Sequence, residues 1–151
     1  MRNGSNLNLM HLKYFFLILT ILFLSCKKND DDTSGSDCDQ ATIISAEQFE
    51  NGPNAPLTII EMSIEEDCLR VKFSASGCSG ESWVVELIDK GVVLEALPPI
   101  RLLRISLLNN EACLAVFTRE LTFDLTQLQL PETNEIFLNI ANSDEQILYM
   151  Y

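Results

Sequence analysis

Hydrophobic and polar positions alternate along most of the chain after Leu57, and that period of two predicts strand after strand. Leu57–Ile64 is rich in Ile, Thr and Met, and the polar turn Glu65-Glu66-Asp67 follows it. Cys68–Ala75 places Leu69, Val71, Phe73 and Ala75 on one face and Arg70, Lys72 and Ser74 on the other. Ser74–Ser82 is small and Gly-rich and reads as a loop. In Ser82–Ile88, residues Trp83, Val85 and Leu87 share a side. Asp89-Lys90-Gly91 carries a hairpin signal, and the short apolar strand Val92–Leu97 stops at Pro98-Pro99. Arg101–Leu108 turns Leu103, Ile105 and Leu107 inward and leaves Arg104 and Ser106 outward. Asn109-Asn110-Glu111 reverses the chain, because Asn tolerates left-handed backbone. Ala112–Thr118, Leu121–Leu125, Ile136–Ile140 and Gln146–Tyr151 complete the set, and helical turns are expected only at Ser45–Glu50 and Asp124–Leu130. Seven to nine short strands at this spacing predict an all-β fold with little helix, a sandwich or a barrel, and an antiparallel β-sandwich is the expected form.

Residues 1–25 are patterned differently. Arg2, His11 and Lys13 precede an apolar run, Tyr14–Leu24, and the first acid is Asp30. Eleven helical residues span about 16 Å, roughly half a bilayer core, so the run reads as a removable export signal and not as a membrane span. Leu22-Phe23-Leu24-Ser25-Cys26 resembles the lipobox of bacterial lipoproteins. That resemblance implies cleavage before Cys26, acylation of its thiol and a lipid bilayer as partner. In the usual pattern Leu stands three residues before the Cys; here that residue is Phe23. The following Lys27-Lys28-Asn29-Asp30-Asp31-Asp32 resembles the start of mature lipoproteins of the Bacteroidota surface-export type. It implies display on the outer face of the outer membrane, with the periplasmic face as alternative. Two or three acyl chains hold durably where one does not. The expected organisation is a signal at 1–25, a lipidated Cys26 with an acidic flexible tether to residue 37, and one domain from 38 to 151. A tether of 11 flexible residues has a root-mean-square span of about 18 Å.

With Cys26 lipidated, Cys38, Cys68, Cys78 and Cys113 remain, an even count that reads as two disulfides in an exported chain. Cys68 and Cys78 are expected at opposite ends of one strand, which disfavours joining them. Counting reversals at 77–81, 89–91, 98–99 and 109–110 brings Cys113 back to the Cys68 end. The expected pairs are therefore Cys68–Cys113 and Cys38–Cys78. Cys68 shares parity with the outward Arg70 and Lys72, so it is expected to staple a strand end. The order Cys68…Trp83…Cys113 resembles that of immunoglobulin-like sandwiches, and the stretch Asp124-Leu125-Thr126-x-Leu128 resembles the crossover between sheets in immunoglobulin-like and fibronectin-like ones. In the former the Trp packs on an inter-sheet bridge; ordinary core is the expectation for Trp83 here.

Charge and residue inventory narrow the chemistry. All 22 acidic residues follow position 25, against 8 of the 10 basic ones, so the mature chain carries 8 − 22 = −14. Nucleic acid is not an expected partner. The single histidine is His11, in the export segment, so triads and metal sites that need imidazole are not expected. Gly77-Cys78-Ser79-Gly80 lacks the second Gly of a nucleophile elbow, since Glu81 stands there. Asp30-x-Asp32-x-Ser34-Gly35 begins like a calcium loop but has Ala41 where the twelfth-position Glu belongs. Glu61, Glu86, Glu95 and Glu120 read as solvated strand faces and not as a glycosidase pair. No enzyme activity, metal or cofactor is expected.

The remaining class is a tethered binding or interaction module for a protein or glycan. An accessory subunit of an outer-membrane assembly and an inhibitor of a secreted hydrolase are the alternatives. The candidate binding loop is 74–82, with Gly77, Ser79, Gly80 and Glu81 at its centre, because tethering through Cys78 would pre-order it. A glycan platform would draw on Phe49, Tyr149 and Tyr151, and the last strand would offer an edge to a partner strand.

Overall fold

The computed structural model describes residues 37–151. The export segment, Cys26, the Lys27–Asp32 run and the calcium-like stretch lie outside the described residues. Nine strands form two packed sheets, an all-β sandwich as the alternation predicts. They are β1 (Gln40–Ala41), β2 (Ile43–Ile44), β3 (Thr58–Glu65), β4 (Cys68–Gly77), β5 (Val84–Leu94), β6 (Ile100–Leu108), β7 (Ala115–Asp124), β8 (Glu135–Ile140) and β9 (Gln146–Met150). The four-stranded sheet has the order β1-β7-β4-β3, and the five-stranded sheet has β2-β5-β6-β8-β9. Three pairings, β1 with β7, β2 with β5 and β6 with β8, are parallel, so both sheets are mixed and the expectation of a purely antiparallel sandwich is corrected: chain that crosses between the sheets, as at β7 to β8, does not return as a hairpin neighbour.

The inward residues form the core. Leu69, Val71, Phe73 and Ala75 of β4 face Val85 and Leu87 of β5, Leu103, Ile105 and Leu107 of β6, and Ile136, Leu138 and Ile140 of β8. Trp83 is buried just before β5, with its ring 6.3 Å from that of Phe73. It packs as ordinary core. After β7 the chain turns through a single 3-10 turn, Thr126–Leu128, and passes from the first sheet to the second. The Asp124–Leu128 stretch is thus the crossover that its sequence resembles.

The α-helix of the described residues, α1 (Ala46–Asn51), begins where Ser45 Oγ accepts the Gln48 amide at 3.2 Å. It lies over the outer face of the five-stranded sheet and corrects one expectation. Arg104 and Ser106 point outward but are buried beneath this cover. Arg104 Nη2 donates to Gln48 O at 2.6 Å and Ser106 Oγ to Pro53 O at 2.8 Å. Their charge and hydroxyl satisfy the helix end and the chain beyond it.

Two further boundaries differ from the pattern. β7 runs unbroken through Arg119-Glu120, where the alternation suggested a gap. Arg119 faces inward, and its Nη1 donates to Gly80 O at 2.8 Å, so the polar residue does not end the strand. β4 continues to Gly77, which shortens the expected loop at its start.

The larger correction is at Asp89-Lys90-Gly91. This is no hairpin. β5 runs straight through it, with a register shift between Asp89 and Val93, which is a β-bulge. Asp89 is fully buried. Its Oδ1 accepts the Gly91 amide at 2.6 Å and Arg101 Nη1 at 3.3 Å, and Arg101 Nε donates to Leu128 O at 3.1 Å. Gly91 takes a φ of +75°, which glycine adopts without strain. An Asx turn that would close a hairpin in solvent instead folds inward, because Arg101 on the neighbouring strand supplies the counter-charge. The chain reverses after Leu94, and Pro98-Pro99 belongs to that full reversal.

A buried pair of this kind is costly to break one-sidedly. Arg101→Leu is expected to lower stability by about 3–5 kcal/mol. Adding Asp89→Asn should recover part of that loss, because no uncompensated carboxylate then remains buried. Urea midpoints of the two variants and the parent check both statements.

Candidate functional site

With one reversal fewer than the pattern suggested, every later strand changes end. Cys113 arrives beside Cys78 and not beside Cys68. The disulfides are Cys38–Cys68 and Cys78–Cys113, so the expected pairs Cys68–Cys113 and Cys38–Cys78 are both overturned. All four cysteines are bonded, and Cys68 staples a strand end to the N-terminal arm, as its outward parity suggested. The register shows why the second pair meets. Gly77 lies opposite Ala115 at the end of the β4–β7 ladder, so the chains leaving it hold Cys78 and Cys113 side by side.

The loop after β4 is built around two groups. The first is the Trp83 indole. A methyl group at Gly77 would lie 2.9 Å from Trp83 Cζ2, and one at Gly80 would lie 3.3 Å from Cε3. Gly80 also takes φ +75°. These two glycines let the backbone fold closely over the ring. The second group is the Glu111 carboxylate. Its Oε2 accepts the amides of Ser79 at 3.0 Å, Gly80 at 3.1 Å and Cys78, and its Oε1 accepts Ser82 Oγ at 2.8 Å. Consecutive amides converging on one anion form a nest, here filled by the protein's own side chain.

The nest fixes both strands of the loop. Asn109 Oδ1 accepts the Glu111 amide at 2.9 Å, and Asn109 Nδ2 donates to Ser76 O at 2.7 Å. Hydrogen bonds from Ser79, then Gly80 and Ser82, lower the Glu111 carboxyl from its ordinary value of 4.5 to about 2. Ser79 and Glu81 remain exposed at the tip, and Leu114, next to the bonded Cys113, is 90% exposed. Of the residues the sequence singled out, Gly77, Gly80 and Cys78 hold the loop's shape, and Ser79 and Glu81 present its surface. Glu111 escaped the sequence reading, although an acid two residues before a loop-tethering Cys is the one available signal.

At the other end of the sandwich a second network ties the sheets together. The Tyr149 hydroxyl donates to Asp67 Oδ1, and Gln129 Nε2 donates to Tyr149 Oη at 2.8 Å and to Asp67 Oδ1 at 3.2 Å. Burial, then the hydrogen bond to Asp67, pushes the Tyr149 phenol upward. Tyr149 is therefore core and not part of a glycan platform. Tyr151 is half-buried with its hydroxyl accepting the Leu130 amide at 2.7 Å, and Phe49 lies under the Lys90 ammonium at 5.3 Å. The three aromatics do not form one exposed face. The four candidate carboxylates do not converge either. Glu61 and Glu120 flank Lys72 on the outer face of the four-stranded sheet, Glu86 lies opposite Ser106, and Glu95 is in the β5–β6 connection.

No family model matches the chain, and no curated protein does. Solved structures do. A NigD-like immunity protein from Bacteroides caccae has a TM-score of 0.52 at 10% identity, over 72% of this chain and 57% of that one. A protein of unknown function, DUF1344, from Bacteroides vulgatus has 0.49 at 16%, over 74% and 54%. A putative toxin-related protein from Parabacteroides distasonis has 0.48 at 17%, over 74% and 59%. At these identities the likeness is one of fold, and this chain spans little more than half the length of each.

The Glu111 nest has a signed pH dependence. A carboxyl held below its unfolded value adds stability that is complete above about pH 4.5 and is lost as the pH falls toward 2. Glu111→Gln is expected to lower the urea midpoint at pH 7, with the gap to the parent closing as the pH approaches 2. Paired denaturation curves from pH 7 to 2 read this directly.

Proposed function

We propose that this chain is a lipid-anchored interaction module of the outer membrane. Cleavage before Cys26 and acylation of its thiol attach it, residues 27–37 space it from the bilayer, and the sandwich offers its Cys78–Cys113 end to a protein partner. The observation that carries this reading is the loop 78–82. It is closed by a disulfide, filled by the Glu111 carboxylate and packed on Trp83, yet its tip at Ser79 and Glu81 is exposed. A loop ordered before binding gives up little entropy on binding, which favours recognition. A protein is preferred over a glycan because the aromatics that would stack on sugars are buried or engaged.

The narrower reading is an inhibitory module, whose partner is restrained when bound. A rigid protruding loop is what that role needs, and one structure of similar fold is named an immunity protein. This step is an analogy of fold. Catalysis forms no part of the reading, and display on the cell surface, in preference to the periplasmic face, is what the resemblance of the Lys-Lys-Asn-Asp-Asp-Asp run implies.

One experiment addresses anchor and loop together. The lipidated protein is recovered from membranes with its bound proteins, beside Cys26→Ala and Glu81→Arg variants. Cys26→Ala is expected to leave the membrane fraction. Glu81→Arg should stay there, folded, and lose one stoichiometric partner by at least tenfold. Membrane retention without the Cys26 sulfur contradicts the anchor, and undiminished capture by Glu81→Arg contradicts the loop.

A further inference from the structure

Among the described residues, the outer face of the five-stranded sheet is covered over only half its length. α1 and the chain after it lie over Ile88, Arg104 and Ser106. Beyond that cover, register places Leu94 opposite Ile100, Ile100 opposite Phe137 and Phe137 opposite Leu148. Four apolar side chains thus form one row across β5, β6, β8 and β9. Leu94 and Leu148 are each 40% exposed, and Met150, two residues along β9 on the same face, is 68% exposed. Leu97, in the connection joining Leu94 to Ile100, is 97% exposed. Scattered exposed leucines need no explanation, but a row spanning four strands is a contiguous patch.

The patch has an acidic border. Glu95 follows Leu94, Glu135 lies opposite Met150 and on the face of Phe137, and Asp144-Glu145 leads into β9. The cations of this sheet are engaged elsewhere. Arg101 is buried against Asp89, Arg104 lies under α1, and Lys90 pairs with Glu50 at 2.7 Å. Across residues 37–151, six basic residues stand against nineteen acidic ones, 6 − 19 = −13. An acidic border of this kind repels a second copy of the chain and an anionic lipid surface, and attracts a cationic partner.

We infer that this bare half-face is a docking surface for a protein segment whose apolar side chains are flanked by lysines or arginines. It is separate from the loop at 78–82 and stands without it. Apolar burial on the Leu94–Leu148 row supplies affinity, and the acidic border sets the orientation and selects the charge of the occupant.

The test uses the purified full chain and two synthetic peptides, one alternating Leu with Lys and one alternating Leu with Glu. Affinity comes from fluorescence anisotropy, and location from hydrogen exchange. The Leu-Lys peptide is expected to bind at least tenfold more tightly and to protect Ile100–Leu102, Phe137–Asn139 and Gln146–Met150. Leu148→Asp adds negative charge, so simple charge attraction would tighten binding; docking on the row requires at least a fivefold loss. Met150→Asp, at the most exposed position of β9, gives the same reading if Leu148→Asp disturbs folding. Unchanged or tighter binding by the variants, or protection outside these strands, overturns the inference. So does self-association abolished by Met150→Asp, which assigns the face to a second copy. Loss of binding to phosphatidylcholine vesicles in that variant assigns it to lipid and likewise overturns the inference.

Discussion

The buried Asp89 carboxylate fixes the course of the whole second sheet. In water, Asp-Lys-Gly would close a hairpin, with the carboxylate solvated at the turn. Here Arg101 on the adjacent strand offers a guanidinium inside the protein, and Gly91 turns its amide to the same oxygen. The carboxylate goes inward, the turn becomes a bulge and β5 extends to Leu94. Everything downstream inherits that choice. The β5–β6 reversal moves to 95–99, β6 and β7 keep opposite directions, and the segment carrying Glu111 and Cys113 returns to the end of β4 that holds Cys78. A single reversal, gained or lost, exchanges the two ends of the sandwich.

The exposed loop is a consequence of that placement. Its shape comes from three constraints that each act on backbone: the indole of Trp83 pressed against Gly77 and Gly80, the Glu111 carboxylate gathering three amides, and the disulfide. None of them uses the side chains of Ser79 or Glu81, which stay available to solvent. The opposite end is held by the Tyr149–Asp67–Gln129 network, which links β9 to the β3–β4 turn and to the crossover after β7. The loop's shape and its exposed surface are therefore supplied by different residues, and the sheets separate the two ends of the sandwich.

Much of this was legible in the chain. Strict alternation in Cys68–Ala75 and Arg101–Leu108 named the apolar core-facing positions correctly, because one face of a strand must leave water and the period of two says which. The burial of Trp83 followed from the same alternation, and the crossover at Asp124–Leu128 from a resemblance to other sandwiches. The failures share a cause. Asp89, Arg104, Ser106 and Tyr149 are polar or amphipathic residues whose partners, Arg101, Gln48 O, Pro53 O and Asp67, lie on other elements of the fold. Local pattern treats such residues as solvent-facing and cannot see a counter-charge supplied from a neighbouring strand. The disulfide assignment failed for the same reason at one remove, since it inherited the false hairpin. The nest around Glu111 was invisible because its donors and acceptor meet only once β4 and β7 are paired.

The course of β5 through Asp89 is the central structural claim, and the cysteine connectivity reports it most directly. Proteolysis of the unreduced protein, followed by mass spectrometry of the linked peptides, should yield a peptide containing Cys38 joined to one containing Cys68, and Cys78 joined to Cys113. Peptides linking Cys68 to Cys113 would restore the hairpin, return Cys113 to the opposite end of the sandwich and dissolve the clamped loop.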